Sequence, residues 1–367
     1  MSAVYEERTK LKWPEVISLA GLNAAVVISW IAYHEYQPVL IEKYNFQDLA
    51  GFLVGAKAII LVVIPPFAGW LADLILRKNG KYFTLFTVGI GSTAMIFMVV
   101  ASILGAGPLS AMRDFLPYMI VLWLVAMNLF ISPANSMIEA FAPASKLPVV
   151  MGVLILTTEL IYALEPLVIA LVRFFGDTLT FVVGGILIAG TGFIFHKVSS
   201  NEVIQRKQEM TAVKKTTTAG PIVFVMIVIV GLCLGLGKAV LTEILPNYLS
   251  GSFDVSVREA QIIAFILLGI SAILAFVLSR IIEKYDLSTL IIIGFIILVA
   301  GSLGLLLSPN YGFAIMGSLM LALGLSVINI TGLPYTIQHL SVRNVTYGVG
   351  IYIGASELFS GLINVML

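Results

Sequence analysis

Ala50-Gly51-Phe52-Leu53-Val54-Gly55-Ala56-Lys57-Ala58-Ile59-Ile60-Leu61-Val62-Val63-Ile64-Pro65-Pro66-Phe67-Ala68-Gly69-Trp70-Leu71-Ala72-Asp73-Leu74-Ile75-Leu76-Arg77-Lys78 holds a single charge, Lys57, before Asp73. At 1.5 Å of rise per residue, such a helix exceeds the ~30 Å hydrocarbon core of a bilayer. It reads as a membrane span over 48–76, tilted or bent, with Pro65-Pro66 the expected bend. Outward from it, apolar runs between charged or Pro/Gly/Asn breaks recur near 14–35, 81–105, 114–135, 147–172, 178–197, 220–246, 258–281, 287–307, 311–336 and 345–366. With the first, these make eleven. Each must be helical, because backbone left unpaired in hydrocarbon is too costly, and the runs lack the alternation of outer-membrane strands.

The whole chain agrees with that reading. Its 367 residues are 59% hydrophobic and 11% charged, with a mean hydropathy of +1.04; an ordinary soluble domain is about a quarter charged. Secreted, cytosolic and nucleic-acid-binding classes are excluded, and a formal net charge of +1 provides no field for phosphate backbones. The lone Cys233 lies in an apolar run and reads as a small buried hydrophobe. Residues 1–15 are charged and lack the order of a signal peptide.

A polar interval at 198–219, with Arg206, Lys207, Lys214 and Lys215, divides the chain into an N-terminal six-helix bundle at 1–197 and a C-terminal five-helix bundle at 220–367. Placing Met1 in the cytoplasm puts fifteen Lys and Arg residues on inside segments and four on outside ones, a strong positive-inside bias. Eleven spans then put the C-terminus outside. A six-plus-six arrangement needs a twelfth helix, so the expectation is a last helix missing by nature or by truncation, leaving an open side for a membrane-protein partner.

At the second-to-third junction, Gly69-Trp70-Leu71-Ala72-Asp73 is followed by Arg77-Lys78-Asn79-Gly80-Lys81. Gly69 permits close helix approach, and Asp73 is placed to accept from the first amides of a neighbouring helix. Arg77, Lys78 and Lys81 hold the loop at the inner interface, against anionic lipid headgroups. This junction resembles the cytoplasmic signature of the major facilitator superfamily. Ser29-Trp30, Pro65-Pro66-Phe67-Ala68-Gly69 and the run from Gly348 to Phe359 are more faintly similar to its sugar and cation symporter branch. The resemblance implies an all-α, polytopic bundle of two pseudo-repeats in the cytoplasmic (inner) membrane, with Gly69, Asp73, Arg77 and Lys81 as a conformational gate; Glu139, at the broken helix end Ser132–Glu139, is read as an acidic partner for Arg77 or Lys81. Two departures stand out. Asp73 to Gly80 is longer than the usual spacing, and after span eight Ser279-Arg280-Ile281-Ile282-Glu283-Lys284 lacks the Gly-x-x-x-Asp pair.

Six ionisable residues fall inside spans: Lys57, Glu159, Glu165, Lys238, Glu243 and Glu357. Each costs at least ~2.5–3.5 kcal/mol if it faces lipid alone, so each is expected to face the bundle interior or a wet cavity. The four acids are proton-coupling candidates. Glu159 leads because it is mid-helix, with Tyr162 one turn away, whereas Glu165 precedes Pro166 near the outer surface. Lys57 is expected to pair with Glu357 in preference to Glu159. Lys238 and Glu243, at i+5 on one helix, are expected to address different neighbours. Asn23, Trp30, Tyr162, Asn128 and Asn329 complete the cavity candidates, with Lys57 and Lys238, as groups suited to recognising a hydroxylated solute.

No nucleotide-gripping loop, metal motif or nucleophile elbow is present in the sequence, and no cofactor is implied. Intramembrane carboxylates without an ATP site point to an ion gradient as the energy source. The expectation is a secondary active transporter, not an enzyme, moving a small polar solute with a proton by alternating access; the branch resemblance implies a sugar. The rival is a transport-inactive, transporter-like scaffold subunit. A transporter needs a polar interior at mid-membrane between its halves, and a scaffold fills that space with apolar side chains.

Overall fold

The computed structural model describes residues 10–80, 83–106, 112–212 and 220–366. It is all helical. In chain order the elements are α1 Trp13–Lys43, α2 Ala50–Asn79, α3 Phe83–Gly105, α4 Leu116–Ser136, α5 Leu147–Ala163, α6 Glu165–Ala212, α7 Pro221–Ser252, α8 Val257–Ile282, α9 Leu287–Leu306, α10 Tyr311–Gln338 and α11 Val345–Met366. Among the described residues, ten helices, α1 to α10, are long and apolar enough to cross a membrane. Their outer surface is apolar as well: Ile59, Ile186, Phe193, Ile292 and Met316 all stand exposed. Exposed hydrocarbon on every side suits a lipid solvent and no other. The chain is a multi-pass membrane protein.

Element ends follow local chemistry. Asn310 and Asp286 accept from backbone amides three residues on and start α10 and α9, and Ser256 with Glu259 forms a capping box at the start of α8. Gly80 ends α2 in the left-handed conformation, at φ 65°. Inside α6, Gly176 has φ 73° and ψ 175°, outside the helical region. The chain reverses there, since Thr180 Oγ1 donates to the Val172 carbonyl at 3.1 Å. A straight helix would separate those residues by roughly 12 Å. The arm before Gly176 therefore prolongs α5 across a short break at Leu164, and the arm after it turns back along α1.

Three of the glycine-lined seams between helices position the candidate site. Along α2 and α11, a Cβ on Gly69 would strike the Thr346 carbonyl, one on Gly350 the Pro65 carbonyl, one on Gly354 the Val62 carbonyl, and one on Gly361 would press on Ala58. Rising numbers on one helix meet falling numbers on the other, so the pair is antiparallel. Between α5 and α8, Gly152 meets Ser279 and Gly269 meets Ala163, again antiparallel. Gly231 and Gly235 of α7 meet Tyr352 and Ser356 of α11, and this pair is parallel. The first two seams join the N-terminal elements, α1–α6, to the C-terminal ones, α7–α11.

Four sequence expectations are adjusted. First, α1 extends to Lys43, well past residue 35, because Tyr36 and Leu40 are buried and Tyr36 Oη donates to the Val172 carbonyl at 3.1 Å. Second, α7 continues to Ser252 through one π-turn, Val240–Ile244, just before Pro246, which has no amide to donate to the Thr242 carbonyl in the α-helical pattern. Third, α6 remains helical to Ala212, so the polar interval begins as helix, and Lys12 pairs with Glu202 at 2.5 Å. Fourth, α2 runs as one helix through Pro65-Pro66. The Val62 carbonyl, deprived of an amide by Pro66, lies against Gly354 instead.

Candidate functional site

Five of the six intramembrane charges come together between the two sets of helices. Glu159 on α5 is 3% exposed. Its Oε1 accepts from Asn329 Nδ2 of α10 at 2.6 Å, and Lys238 Nζ of α7 lies 3.9 Å away, outside hydrogen-bond range. Its Oε2 is buried with no hydrogen-bond partner. Glu243, five residues beyond Lys238, accepts from Ser360 Oγ of α11 at 2.6 Å. Lys57 of α2 stands 2.9 Å from His34 Nε2 of α1 and 5.8 Å from the centre of the Tyr33 ring. A charged lysine has only donors, so His34 accepts and carries its own proton on Nδ1.

Glu357 links these groups. The Lys57 ammonium lies in the field of Glu357 and Glu243, and Glu357 lies in the field of both Lys57 and Lys238. The seams explain why. The antiparallel α2–α11 register sets Lys57 about three to five residues, or ~5–8 Å, from the depth of Glu357, a span that a lysine side chain covers, and the parallel α7–α11 register sets Lys238 about two residues, or ~3 Å, from it. The order Glu243, Lys57, Glu357, Lys238, Glu159 therefore alternates in sign. Lys57 has Glu357, not Glu159, as its carboxylate neighbour, together with Glu243 and His34. Lys238 and Glu243 address different neighbours, as their spacing implied. Tyr162 faces the same group, in the fields of Glu357, Glu165 and Glu159.

Glu165 stands apart, opening α6 just past the break, with Glu35 as its electrostatic neighbour; Glu35 also accepts from Arg173 Nε at 2.7 Å. Asn23 donates to Asn135 Oδ1 at 3.0 Å and so ties α1 to α4. Asn128 donates to its own helix, at the Leu124 carbonyl. Trp30 packs in an aromatic group with Tyr33, His34 and Trp123, at centroid distances of 5.2 to 5.8 Å. Nothing in the sequence pointed to Ser360, or to the buried Tyr33 hydroxyl and Trp123 Nε1, which lack hydrogen-bond partners beside Lys57. A serine or aromatic in an apolar run has too many ordinary uses to signal a site.

At one end of the bundle, the two sets of helices are fastened together. Asp73 Oδ2 accepts from the Tyr347 amide, in the first turn of α11, at 2.9 Å, which is the helix-start geometry expected from sequence. Ser136 Oγ donates to Thr346 Oγ1 at 3.2 Å, and Gln338 Nε2 to the Ala144 carbonyl at 3.0 Å. Lys146, at the start of α5, pairs with Glu283 at 2.8 Å. The run after span eight thus keeps the physical device of the first junction in altered form. Ser279 and Glu283 are spaced as Gly69 and Asp73 are, with the glycine moved to Gly152 on the facing helix. Arg77 Nε donates to the Asp73 carbonyl at 3.1 Å; Glu139 is buried in the turn Ile138–Phe141. Lys81 lies outside the described residues. Among the described residues, no cluster of His, Cys, Asp or Glu is placed to hold a metal ion.

Residues 227–364 match the sequence profile of the Major Facilitator Superfamily. No curated protein matches the chain in sequence. Among solved structures, the chain is similar to the proton:xylose symporter XylE bound to 6-bromo-6-deoxy-D-glucose, with TM-score 0.62, 13% identity and coverage of 96% of this chain and 87% of that one. It is also similar to a single-residue variant of the E. coli fucose:proton symporter FucP, with TM-score 0.64, 12% identity and coverage of 95% and 90%. FucP in the outward conformation gives TM-score 0.63 at 12% identity, covering 95% and 89%. The fold is the facilitator fold, and the profile match over the C-terminal helices agrees with the resemblance to that superfamily read from the sequence.

Proposed function

We propose that this facilitator-fold chain is a secondary active transporter that moves a small polar solute together with a proton by alternating access. One observation carries the reading: Lys57, Glu159, Lys238, Glu243 and Glu357 are gathered between α1–α6 and α7–α11, at a depth where charges are costly and mark the pathway of a solute or ion. The scaffold alternative expects apolar side chains there. The likeness to proton symporters of xylose and fucose supports the same reading.

The rest follows as mechanism. The 1–197 and 220–367 bundles rock about the central cluster, with α11 as the eleventh span and the Asp73 end in the cytoplasm, where the basic residues gather. The hydrogen bonds of Asp73, Ser136, Gln338 and Lys146 hold that end shut, which leaves the cluster to be reached from the opposite end. Gly69, Asp73, Arg77, Lys81 and Glu139 form the gate at this closure. In the cluster, three carboxylates face two ammonium groups, so one proton neutralises the set. The three carboxylates titrate as one coupled group, so removing the charge of any one of them changes proton uptake by the others. Glu159 is the member that joins both bundles, through Asn329, so its charge and the separation of the bundles are linked.

Glu159→Gln removes the surplus charge without a proton. Gradient-driven accumulation in sealed proteoliposomes is expected to fall to background, while exchange of solute down its own gradient persists. Full pH-driven accumulation in that variant would remove Glu159 from the coupling, and failure of every tested solute to move with or without a gradient would overturn the transporter reading.

A further inference from the structure

We propose that the transported solute is a monoanion bearing a carboxylate, that this carboxylate is held between Lys57 and Lys238, and that it enters in place of the negative charge of Glu357 when Glu357 takes up a proton. The inference rests on the transporter reading and goes on to name the solute class.

The free hydrogen-bonding capacity of the cluster is the first ground. Lys238 Nζ has its nearest carboxylate oxygen at 3.9 Å, and its side chain is 42% exposed although it sits within a membrane-spanning helix. Lys57 directs one donor to His34 and has two more. Glu357 lies in the field of both lysines yet, among the described residues, takes part in no hydrogen bond or close ion pair. Two ammonium groups, one from each bundle, thus flank a carboxylate without closing on it. That is the arrangement a second carboxylate would meet.

The sign pattern is the second. Lys57 keeps Glu243 as a neighbour and Lys238 keeps Glu159, so each retains a counter-charge when Glu357 is neutralised. Glu357 alone is shared by both lysines. A proton on it and an anion beside it leave the total charge of the cluster unchanged at −1, whereas an anion arriving without a proton adds a like charge at close range. With Glu357 protonated, a neutral sugar would leave the total charge of the cluster changed and the unused ammonium donors of Lys57 and Lys238 without an added acceptor charge, and a cation would have to settle beside two ammonium groups.

A pH-linked site depends on every charge that faces Glu357. On α2 the charged neighbour is Lys57, on α7 they are Lys238 and Glu243, and Tyr162 of α5 faces it. The other helices packed against α11, α4 and α10, contain no Asp, Glu, Lys, Arg or His. Glu357 is therefore the acid whose protonation frees both lysines at once.

The test uses the full chain in lipid nanodiscs with three probes: D-glucuronate, acetate as a minimal carboxylate that fits irrespective of scaffold, and D-glucose as the neutral counterpart. Binding is followed by calorimetry, and proton uptake by a pH dye in lightly buffered solution. The expected result is carboxylate binding with uptake of one proton, an affinity that falls about tenfold per pH unit above the midpoint, and a flat, pH-independent affinity in Glu357→Gln. Lys238→Met and Lys57→Met should each weaken binding at least tenfold at low pH, and Lys238→Arg should restore most of it. The Glu357→Gln comparison stands even if a lysine variant fails to fold. The proposal is overturned if D-glucose binds and both carboxylates do not, if no probe binds, or if Glu357→Gln keeps the wild-type pH dependence. Proton-driven vesicle uptake of D-glucose, D-xylose or L-fucose with the anions inert sinks the solute class but keeps the transporter; carboxylate binding with proton uptake but no translocation keeps the site and sinks the transporter.

Discussion

Asp73 and Lys57 show how a single residue is read at two levels. Asp73 was placed from sequence at a helix end facing the first amides of a neighbour, and it accepts from the Tyr347 amide at 2.9 Å. Asp73→Asn keeps an acceptor for that amide but removes the charge that strengthens the bond. We expect normal yield of folded protein, retained solute affinity and slower exchange between the two open states, measured by the rate at which a cysteine at the closed end becomes reactive. Lost affinity with unchanged exchange would show that Asp73 is a ligand instead. For Lys57, the cost of burial was readable from sequence but the partner was not, because depth estimated by counting from two different helix ends carries an error of several residues. The α2–α11 seam brings the two helices together with Glu357 within reach of the lysine side chain, and the carboxylates whose field Lys57 feels are Glu357 and Glu243. A double-mutant cycle between Lys57→Met and Glu357→Gln is expected to show a coupling of about 0.5–3 kcal/mol, and the cycle with Glu159→Gln a smaller one. Additivity in the first cycle would rule out the pairing.

The helices themselves were legible, since a run of twenty or so apolar residues has one viable backbone solution in lipid. Their ends were less so. Lys43, Ser252 and Ala212 lie beyond the expected boundaries because helix continues wherever a neighbour buries or bonds its flank, as Val172 does for Tyr36. The seam glycines are an element-scale property: Gly350 and Gly354 were readable as a contact face, but not the helix they contact. Gly350→Ala sets a methyl against the Pro65 carbonyl, at an expected cost of about 1–3 kcal/mol. Its thermal midpoint should drop, and cysteines at the Asp73 end should become more reactive; an unchanged midpoint would mean the seam is looser than the described packing. Asp286, outside the spans, gives a pH-linked expectation. The Thr289 amide, then the Thr289 hydroxyl, donate to its carboxylate and hold it below the usual range. A depressed value means that its stabilisation is complete above the ordinary carboxylate range and is lost as pH falls through the depressed value. Asp286→Asn keeps an acceptor at this cap and should flatten that part of the acid unfolding curve.

At the scale of the molecule, the distribution of Lys and Arg determines sidedness, and it predicts that Lys207→Cys in a Cys233→Ser background reacts only from the cytoplasm while Asp254→Cys reacts only from outside. Labelling of position 207 from outside would invert the topology. Sequence by itself determined that the chain is helical and membrane-spanning, where its apolar runs lie, and that six charges are too costly to face lipid, because each of these depends on composition along one segment. It also showed the Gly69–Asp73 junction, whose residues are contiguous. Only the tertiary structure decided that five of those charges form one alternating group, that Glu165 stands outside it with Glu35, that Asn23 and Asn128 are spent on helix packing, and that Ser279 and Glu283 rebuild the first junction with a glycine lent by α5. The physical reason is the same throughout. Hydropathy acts locally and leaves the rotation, depth and partner of each helix open, and those are set by which small residues let two backbones approach and at what register.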